Sequence, residues 1–459
     1  MKTNPEIFKA YDIRGIYGKD CDEKTFYLIG QEMVKALGVK KMAIGCDARE
    51  SSPVLYNALM QGILDMGVDV VALGVITTPM LYFASHFIKD VDGAMSVTAS
   101  HNPGEWNGVK TCLRDAVPVG GEAGIDATKA GVLARENEEI DVPEKAHSSK
   151  GELSEYDIKG DYYDYFVKFA KLGDKKFKIV VDCANAMGVL ELPFYEKYLA
   201  DNFEVVKLDC DLENSAYQNS HEANPLKTET LANLQKKVVS EGADLGIAYD
   251  GDADRVGFVD EKGVIIPMDL VTGLIAKVLL EKEENKGRVI LYDLRSSRAV
   301  KEVIEENGGV AHECRVGHTL IKAQMLEENA LFAGELSGHY YFQANKNGEV
   351  STLAALTLLN LMAETEQPIS ELVQDLRRYY HSGEINSEVE DKEAVIEKLK
   401  EKYSDGKLSE LDGIKIDYPD WWFNVRQSNT EPVLRLNVEA KTKEMMEEKR
   451  DELLAIIRG

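Results

Sequence analysis

KMAIGCDAR, residues Lys41–Arg49, is a β-rich apolar run that ends in an aspartate and a small-residue loop, and the next segment, Pro53–Met66, reads as a helix. The shape recurs in KFKIVVDCANAMG (Lys176–Gly188), followed by helix-like Val189–Tyr198, and in GRVILYDLRSS (Gly287–Ser297), followed by Ala299–Asn307. Apolar strands each followed by a helix suggest parallel sheets whose faces are covered by helices. Strand, loop and helix three times over predict an α/β fold of three related domains with mixed sheets. The tail differs. A helix-like Asp391–Tyr403, an extended Ile414–Asp417, a loop, a strand at Val433–Val438 and an amphipathic Lys443–Ile457 predict a smaller C-terminal α+β domain with an antiparallel sheet.

With 459 residues the chain is too long for one core. The charged, polar stretch Glu136–Lys159 reads as a first linker, with further breaks near Val256–Gly263 and Glu364–Ile369. The expected domains are therefore 1–150, 151–256, 257–368 and 369–459. The 80 acidic and 54 basic side chains leave a formal charge of −26, which disfavours nucleic acid and anionic membranes as partners. The N-terminal segment MKTNPEIFKAYDIRG has no long apolar core, and no apolar run approaches the length of a membrane span. Six scattered cysteines without a CxxC pair read as reduced core thiols, so a cytoplasmic location is expected.

Four segments carry chemistry. In AMSVTASHNPGEWNGVK (Ala94–Lys110) an apolar strand runs into a polar loop holding Ser100, a placement that holds a nucleophile rigidly while exposing it. The same loop also reads as a simple turn capped by Ser100 and Asn102 before Pro103. In ADLGIAYDGDADRVGFV (Ala243–Val259) two apolar strands flank Asp250, Asp252 and Asp254, whose mutual repulsion a hard divalent cation such as Mg²⁺ offsets. The EF-hand reading fails, because Arg255 stands where the loop needs Gly and the flanks are strands. An aspartyl-phosphate phosphatase using Asp252 or Asp254 remains a rival. In AGELSGHYY (Ala333–Tyr341), Glu335 and Ser337 suit recognition of sugar hydroxyls. In VRQSNTEPVLR (Val425–Arg435), Arg426, Ser428, Asn429 and Thr430 in a loop before a strand read as a phosphate cradle, or as a simple Ser-Asn-Thr turn. Arg14, Arg255, Arg295 and His318 are further cationic positions that matter only if the loops converge.

Taken together, KAYDIRG, TASHNP (Thr98–Pro103), DGDADR (Asp250–Arg255), GELSGH (Gly334–His339) and RQSNTEP (Arg426–Pro432), in that order over nearly the whole chain, resemble the α-D-phosphohexomutase family, in its phosphomannomutase/phosphoglucomutase branch. The resemblance implies that the domains surround a central cleft and that Ser100 is a phosphoserine which, with Asp250, Asp252 and Asp254, binds Mg²⁺. It implies that Glu335 and Ser337 hold sugar hydroxyls and that Arg426, Ser428, Asn429 and Thr430 grip the non-reacting phosphate. Arg14, Lys110, Arg255, His318 and His339 would line the cleft, with Lys110 and His339 as candidate acid/base groups. The implied reaction interconverts hexose 1-phosphate and hexose 6-phosphate, of mannose or glucose, with hexose 1,6-bisphosphate as intermediate and activator. The phosphosugar would be the partner of a monomer or weak homo-oligomer. Arg295, where a lysine is often found, and ANKNGEVST after GELSGH are departures that leave phosphoglucosamine mutase as an alternative.

Overall fold

Lys41–Cys46 forms a strand in which five of six residues are buried, as its apolar pattern requires. The computed structural model describes residues 1–212, 221–427 and 433–459. It divides into one unit of residues 1–267 and 337–370 and a second of residues 268–336 and 371–459. Among the described residues no helix is long and apolar enough to cross a membrane.

The first unit holds two mixed sheets. Strands β1 (Ile13–Ile16), β2 (Lys41–Cys46), β3 (Asp69–Val75), β4 (Gly93–Val97), β5 (Trp106–Leu113) and β6 (Leu153–Glu155) lie in the order β1-β5-β4-β2-β3-β6. The β2, β3, β4 and β6 strands pair in parallel, and β5 runs antiparallel to both β4 and β1. The stretch expected to be a linker therefore contributes β6 to the sheet edge. In the second sheet, β7 (Phe177–Asp182), β8 (Phe203–Leu208), β9 (Leu245–Tyr249), β10 (Val256–Asp260) and β11 (Ile265–Ile266) lie in the order β11-β10-β9-β7-β8. Here too a parallel core gives way to an antiparallel hairpin, β9–β10. Because β10 pairs with β9 over Val256–Asp260, the boundary expected at 256/257 falls inside this sheet. The helix expected at Val189–Tyr198 is irregular, with 3₁₀ turns at Met187–Glu191 and wider π turns at Phe194–Tyr198. Pro193 stands between them and has no N–H to donate.

The three repeated stretches share a device. Each aspartate at the strand end turns its carboxylate back to the backbone N–H two residues on: Asp47 to Arg49 at 3.1 Å, Asp182 to Ala184 at 2.9 Å and Asp293 to Arg295 at 2.8 Å. This Asx-type turn closes each loop locally, which explains why an aspartate recurs there.

In the second unit, Val289–Asp293 pairs in parallel with Val310–Cys314 and Phe332–Gly334. The C-terminal region has an antiparallel sheet, in which Trp421–Gln427 lies between Ile414–Asp417 and Val433–Ala440. Arg426, expected in a loop, is thus on a strand. Trp421, Phe423 and Val425 enter the hydrophobic core, and the two-residue period puts Arg426 on the opposite face.

Helices α1 (Glu23–Leu37) and α2 (Ser52–Asp65) pack with their backbones in contact. A Cβ on Gly62 would lie 2.0 Å from the Tyr27 carbonyl oxygen, and one on Gly30 2.4 Å from that of Leu59. Gly62→Ala should therefore force the helices apart and cost about 3 kcal/mol, read as a lowered urea midpoint by circular dichroism.

Candidate active site

The β4–β5 hairpin carries Ser100 at the end of a strand whose five residues are all buried. Ser100 itself has a left-handed backbone, with φ of 52°, an uncommon conformation for a non-glycine residue that the surroundings must hold in place. Arg49 does much of the holding. Its guanidinium is fixed by Asp47 at 2.9 Å and donates to the carbonyls of Ser100 at 2.6 Å, Asn102 at 2.8 Å and Trp106 at 3.1 Å. Only a planar, multi-donor cation satisfies so many converging oxygens. Arg14 braces the same loop from β1, donating to Asp12 at 2.7 Å and to the Asn102 side chain at 2.8 Å.

The β9–β10 turn carries Asp250, Asp252 and Asp254, none more than 2% exposed. Their ligand oxygens lie within 4.8 Å of one another. The two hairpins meet closely: a Cβ on Gly251 would stand 2.2 Å from the Ser100 carbonyl oxygen. The Ser100 hydroxyl donates to Asp250 at 3.2 Å. Lys110, from β5, donates to Asp252 at 2.6 Å and Asp254 at 2.5 Å. Thr78, at the start of the helix Thr78–Phe87, donates its hydroxyl to the Asp252 carboxylate at 2.6 Å. The Arg255 Nε donates to Asp250 at 3.0 Å, and its Nη2 meets His101. His339 faces Asp254 through Nε2 at 3.3 Å and Ser337 through Nδ1 at 3.0 Å.

Charge explains the titration of these groups. Burial, then Asp254, pushes the Asp250 carboxyl up to about 7 despite Arg255 and Lys110. Burial pulls the Lys110 ammonium down, but Asp252 and Asp254 outweigh it and hold the group above the ordinary lysine value. Held charged in this way, Lys110 brings positive charge to the carboxylates of the turn. Burial, then Arg255 and Arg14, holds His101 well below the usual histidine range, so its ring is a neutral acceptor for Arg255.

The donor set fits a divalent cation. It offers hard carboxylate oxygens in one turn, and Asp252 Oδ1 is buried without a hydrogen-bond partner among the described residues. Two permanent cations, Lys110 and Arg255, stand against the triad's three carboxylates, and His339 adds a third positive charge only when it is protonated.

The second unit gathers another set. Arg295 is 2% exposed and donates to Asp293 at 2.7 Å and to Glu384 at 3.1 Å, with Glu335 at 3.7 Å. Asp293 also accepts from the Leu336 backbone N–H at 2.8 Å, so it fixes the arginine and the backbone beside Glu335 together. His318 opens the helix His318–Glu327. Ser428, Asn429 and Thr430 lie outside the described residues. Sequence reasoning missed Arg49, Thr78, Asp293 and Glu384 as supporting residues. Only the strand-end aspartates offered a signal, through their recurrence.

In metal-free protein the Asp250 carboxyl keeps its proton up to about 7, whereas an ordinary aspartate carboxyl loses it near 3.8. Its stabilising contribution is present below the lower value and is lost as pH rises through the upper one. Asp250→Asn should flatten this part of the pH–stability profile. Binding of Mg²⁺ to the unsubstituted protein should release roughly one proton near pH 5 and none above pH 8, measured calorimetrically in buffers of different ionisation enthalpy.

Comparison with known proteins accords with this arrangement. Models of phosphoglucomutase/phosphomannomutase α/β/α domains I, II and III match residues 5–134, 160–263 and 267–380, and the C-terminal domain model matches 384–456. The chain is 39% identical over 451 residues to a phosphomannomutase of Methanocaldococcus jannaschii, covering 98% of this chain and 97% of the relative. It is 35% identical to a phosphomannomutase/phosphoglucomutase of Pseudomonas aeruginosa, over 96% of this chain and 93% of that one. The crystal structure of a phosphoglucomutase/phosphomannomutase family protein from Burkholderia thailandensis superposes with a TM-score of 0.87 at 30% identity, covering 99% of this chain and 97% of the other. With all four domain models in sequence and this identity over nearly its full length, the chain belongs to the phosphoglucomutase/phosphomannomutase family.

Proposed function

We propose that the protein is a Mg²⁺-dependent phosphohexomutase that interconverts the 1- and 6-phosphates of mannose and glucose through phosphorylated Ser100. The observation that carries the reading is the Ser100 hydroxyl at 3.2 Å from Asp250, inside a buried cluster of three carboxylates and Lys110. The names of the relatives support the sugar class, since one is a phosphomannomutase and the other a phosphomannomutase/phosphoglucomutase.

In this reading phospho-Ser100 transfers its phosphoryl group to the free hydroxyl of a hexose monophosphate. The Ser100 oxygen leaves, the sugar oxygen takes its place on phosphorus, and a hexose 1,6-bisphosphate results. Return of the other phosphoryl group to Ser100 releases the isomeric monophosphate. Added hexose 1,6-bisphosphate acts as activator by rephosphorylating an empty Ser100.

Asp250, Asp252 and Asp254 would hold Mg²⁺, which when bound would supply charge neutralisation for phosphoryl transfer. Lys110 and Arg255 add fixed positive charge beside the same oxygens. Proton handling falls to His339, whose ring is fixed between Asp254 and Ser337. Glu335 and Ser337 recognise sugar hydroxyls, while Arg426 with Ser428, Asn429 and Thr430 holds the phosphate that is not reacting. Arg14 orients the serine loop, and Arg295 and His318 complete the recognition set. The phosphosugar is the partner, the protomer works as a monomer or weak homo-oligomer, and six cysteines outside any disulfide suit a cytoplasmic compartment.

Phosphorus NMR with Mg²⁺, a trace of hexose 1,6-bisphosphate and mannose, glucose or glucosamine 1-phosphate tests the reading. Growth of a 6-phosphate signal without free phosphate is expected, fastest for mannose or glucose. Inorganic phosphate alone would indicate an aspartyl phosphatase, and preference for the amino sugar a phosphoglucosamine mutase. Ser100→Ala should lower turnover by at least about 10⁴-fold with an unchanged circular dichroism spectrum.

A further inference from the structure

Glu384 is the meeting point of three arginines. One carboxylate oxygen accepts from Arg295 at 3.1 Å and Arg426 at 3.0 Å, and the other from Arg435 at 3.1 Å. Its side chain is 10% exposed. Arg426 and Arg435 stand directly opposite each other on paired strands, an arrangement of like charges that costs stability unless an anion lies between them. The arginines also account for the titration of Glu384: burial opposes ionisation, but Arg295, then Arg426 and Arg435, hold the carboxyl down at about 2. It is therefore an anion at every physiological pH.

Arg426 is not saturated by this contact. Its Nε is buried and has no hydrogen-bond partner among the described residues, so it has a donor to offer a further anion. A phosphate monoester has three acceptor oxygens and nearly two charges, which makes it a stronger partner for guanidinium groups than a carboxylate.

We propose that Glu384 is the resident anion of the phosphate-binding arginines, holding them in the empty site and yielding its place when a substrate phosphate binds. The inference rests on Arg426 being the phosphate ligand of the proposed mutase. Such an enzyme must release and rebind phosphate between the two halves of each turnover. Three guanidinium groups with no internal competitor would hold the phosphate too tightly for that exchange. A built-in carboxylate weakens binding uniformly and so speeds release. Glu384 acts through the arginines and is a positioning residue.

Calorimetric titration of the full-length protein with inorganic phosphate, in a chelator to keep the metal site out of play, tests this. Glu384→Gln should bind phosphate about tenfold more tightly, since the substitution removes a nearby negative charge and keeps the shape. KM for the hexose phosphate and kcat should fall together, because both report tighter holding. A residue that only braces the fold would instead give weaker phosphate binding and a raised KM. Glu384→Asp, which keeps the charge, should stay close to the unsubstituted protein. Arg426→Gln is the control and should lose phosphate binding. If Arg426→Gln binds phosphate normally, the phosphate-site reading falls and this inference with it. If Arg426→Gln loses binding while Glu384→Gln binds no more tightly, Glu384 is a brace and the inference alone is overturned. Failure of both Glu384 variants to fold would likewise assign the residue to the fold and overturn displacement.

Discussion

Three carboxylates buried in one turn repel one another, and the first unit is arranged so that positive charge reaches them. Asp250, Asp252 and Asp254 have almost no contact with solvent to disperse their charge. Lys110 comes from the neighbouring sheet, Arg255 from the turn itself and His339 from the segment after residue 336. The remaining imbalance shows in Asp250, whose carboxyl titrates near neutrality, and in an Asp252 oxygen without a partner. Both features suit a site completed by a divalent cation. The cost of concentrating charge in this way is a stability expected to depend on pH.

The same economy of form recurs at smaller scale. Each repeated strand ends in an aspartate that closes its own loop, and in two repeats the residue two positions on is an arginine that folds back onto it. Arg49 then turns to the serine loop, whereas Arg295 turns to Glu384 and Glu335. One local motif thus braces the Ser100 loop in one place and a buried carboxylate–arginine cluster in another. The hairpin that follows the parallel core has a parallel history of use: β4–β5 presents Ser100 and β9–β10 presents the aspartates. Loops at the carboxyl ends of parallel strands are where α/β sheets place ligands.

Much of this was legible in the residues. The three strand-loop-helix segments, the polar loop at Ser100 and the acidic turn at Asp250 are each contiguous, and their geometry follows from neighbours a few positions away. Other elements were not legible. Pro193 left Val189–Tyr198 helical but irregular, the polar stretch after Glu136 contributed a sheet edge, and Arg426 lay on a strand because alternating Trp421, Phe423 and Val425 fill a core. In the last case the polar residues of Arg426–Pro432 masked the strand that precedes them.

The sequence by itself determined the chemical inventory: a serine after a buried strand, a carboxylate triad in one turn, a carboxylate and hydroxyl pair, and an arginine followed by hydroxyl and amide residues near the end. Short motifs carry such information because side-chain chemistry and local turns depend on adjacent residues. Only the tertiary structure decided which cation answers which anion. Lys110 meets Asp252 across 142 positions, Thr78 meets it across 174, and Arg49 reaches the Ser100 carbonyl across 51. Hydrogen bonds act over about 3 Å, and placement to that tolerance comes from the packing of whole sheets, which no local pattern in the chain records.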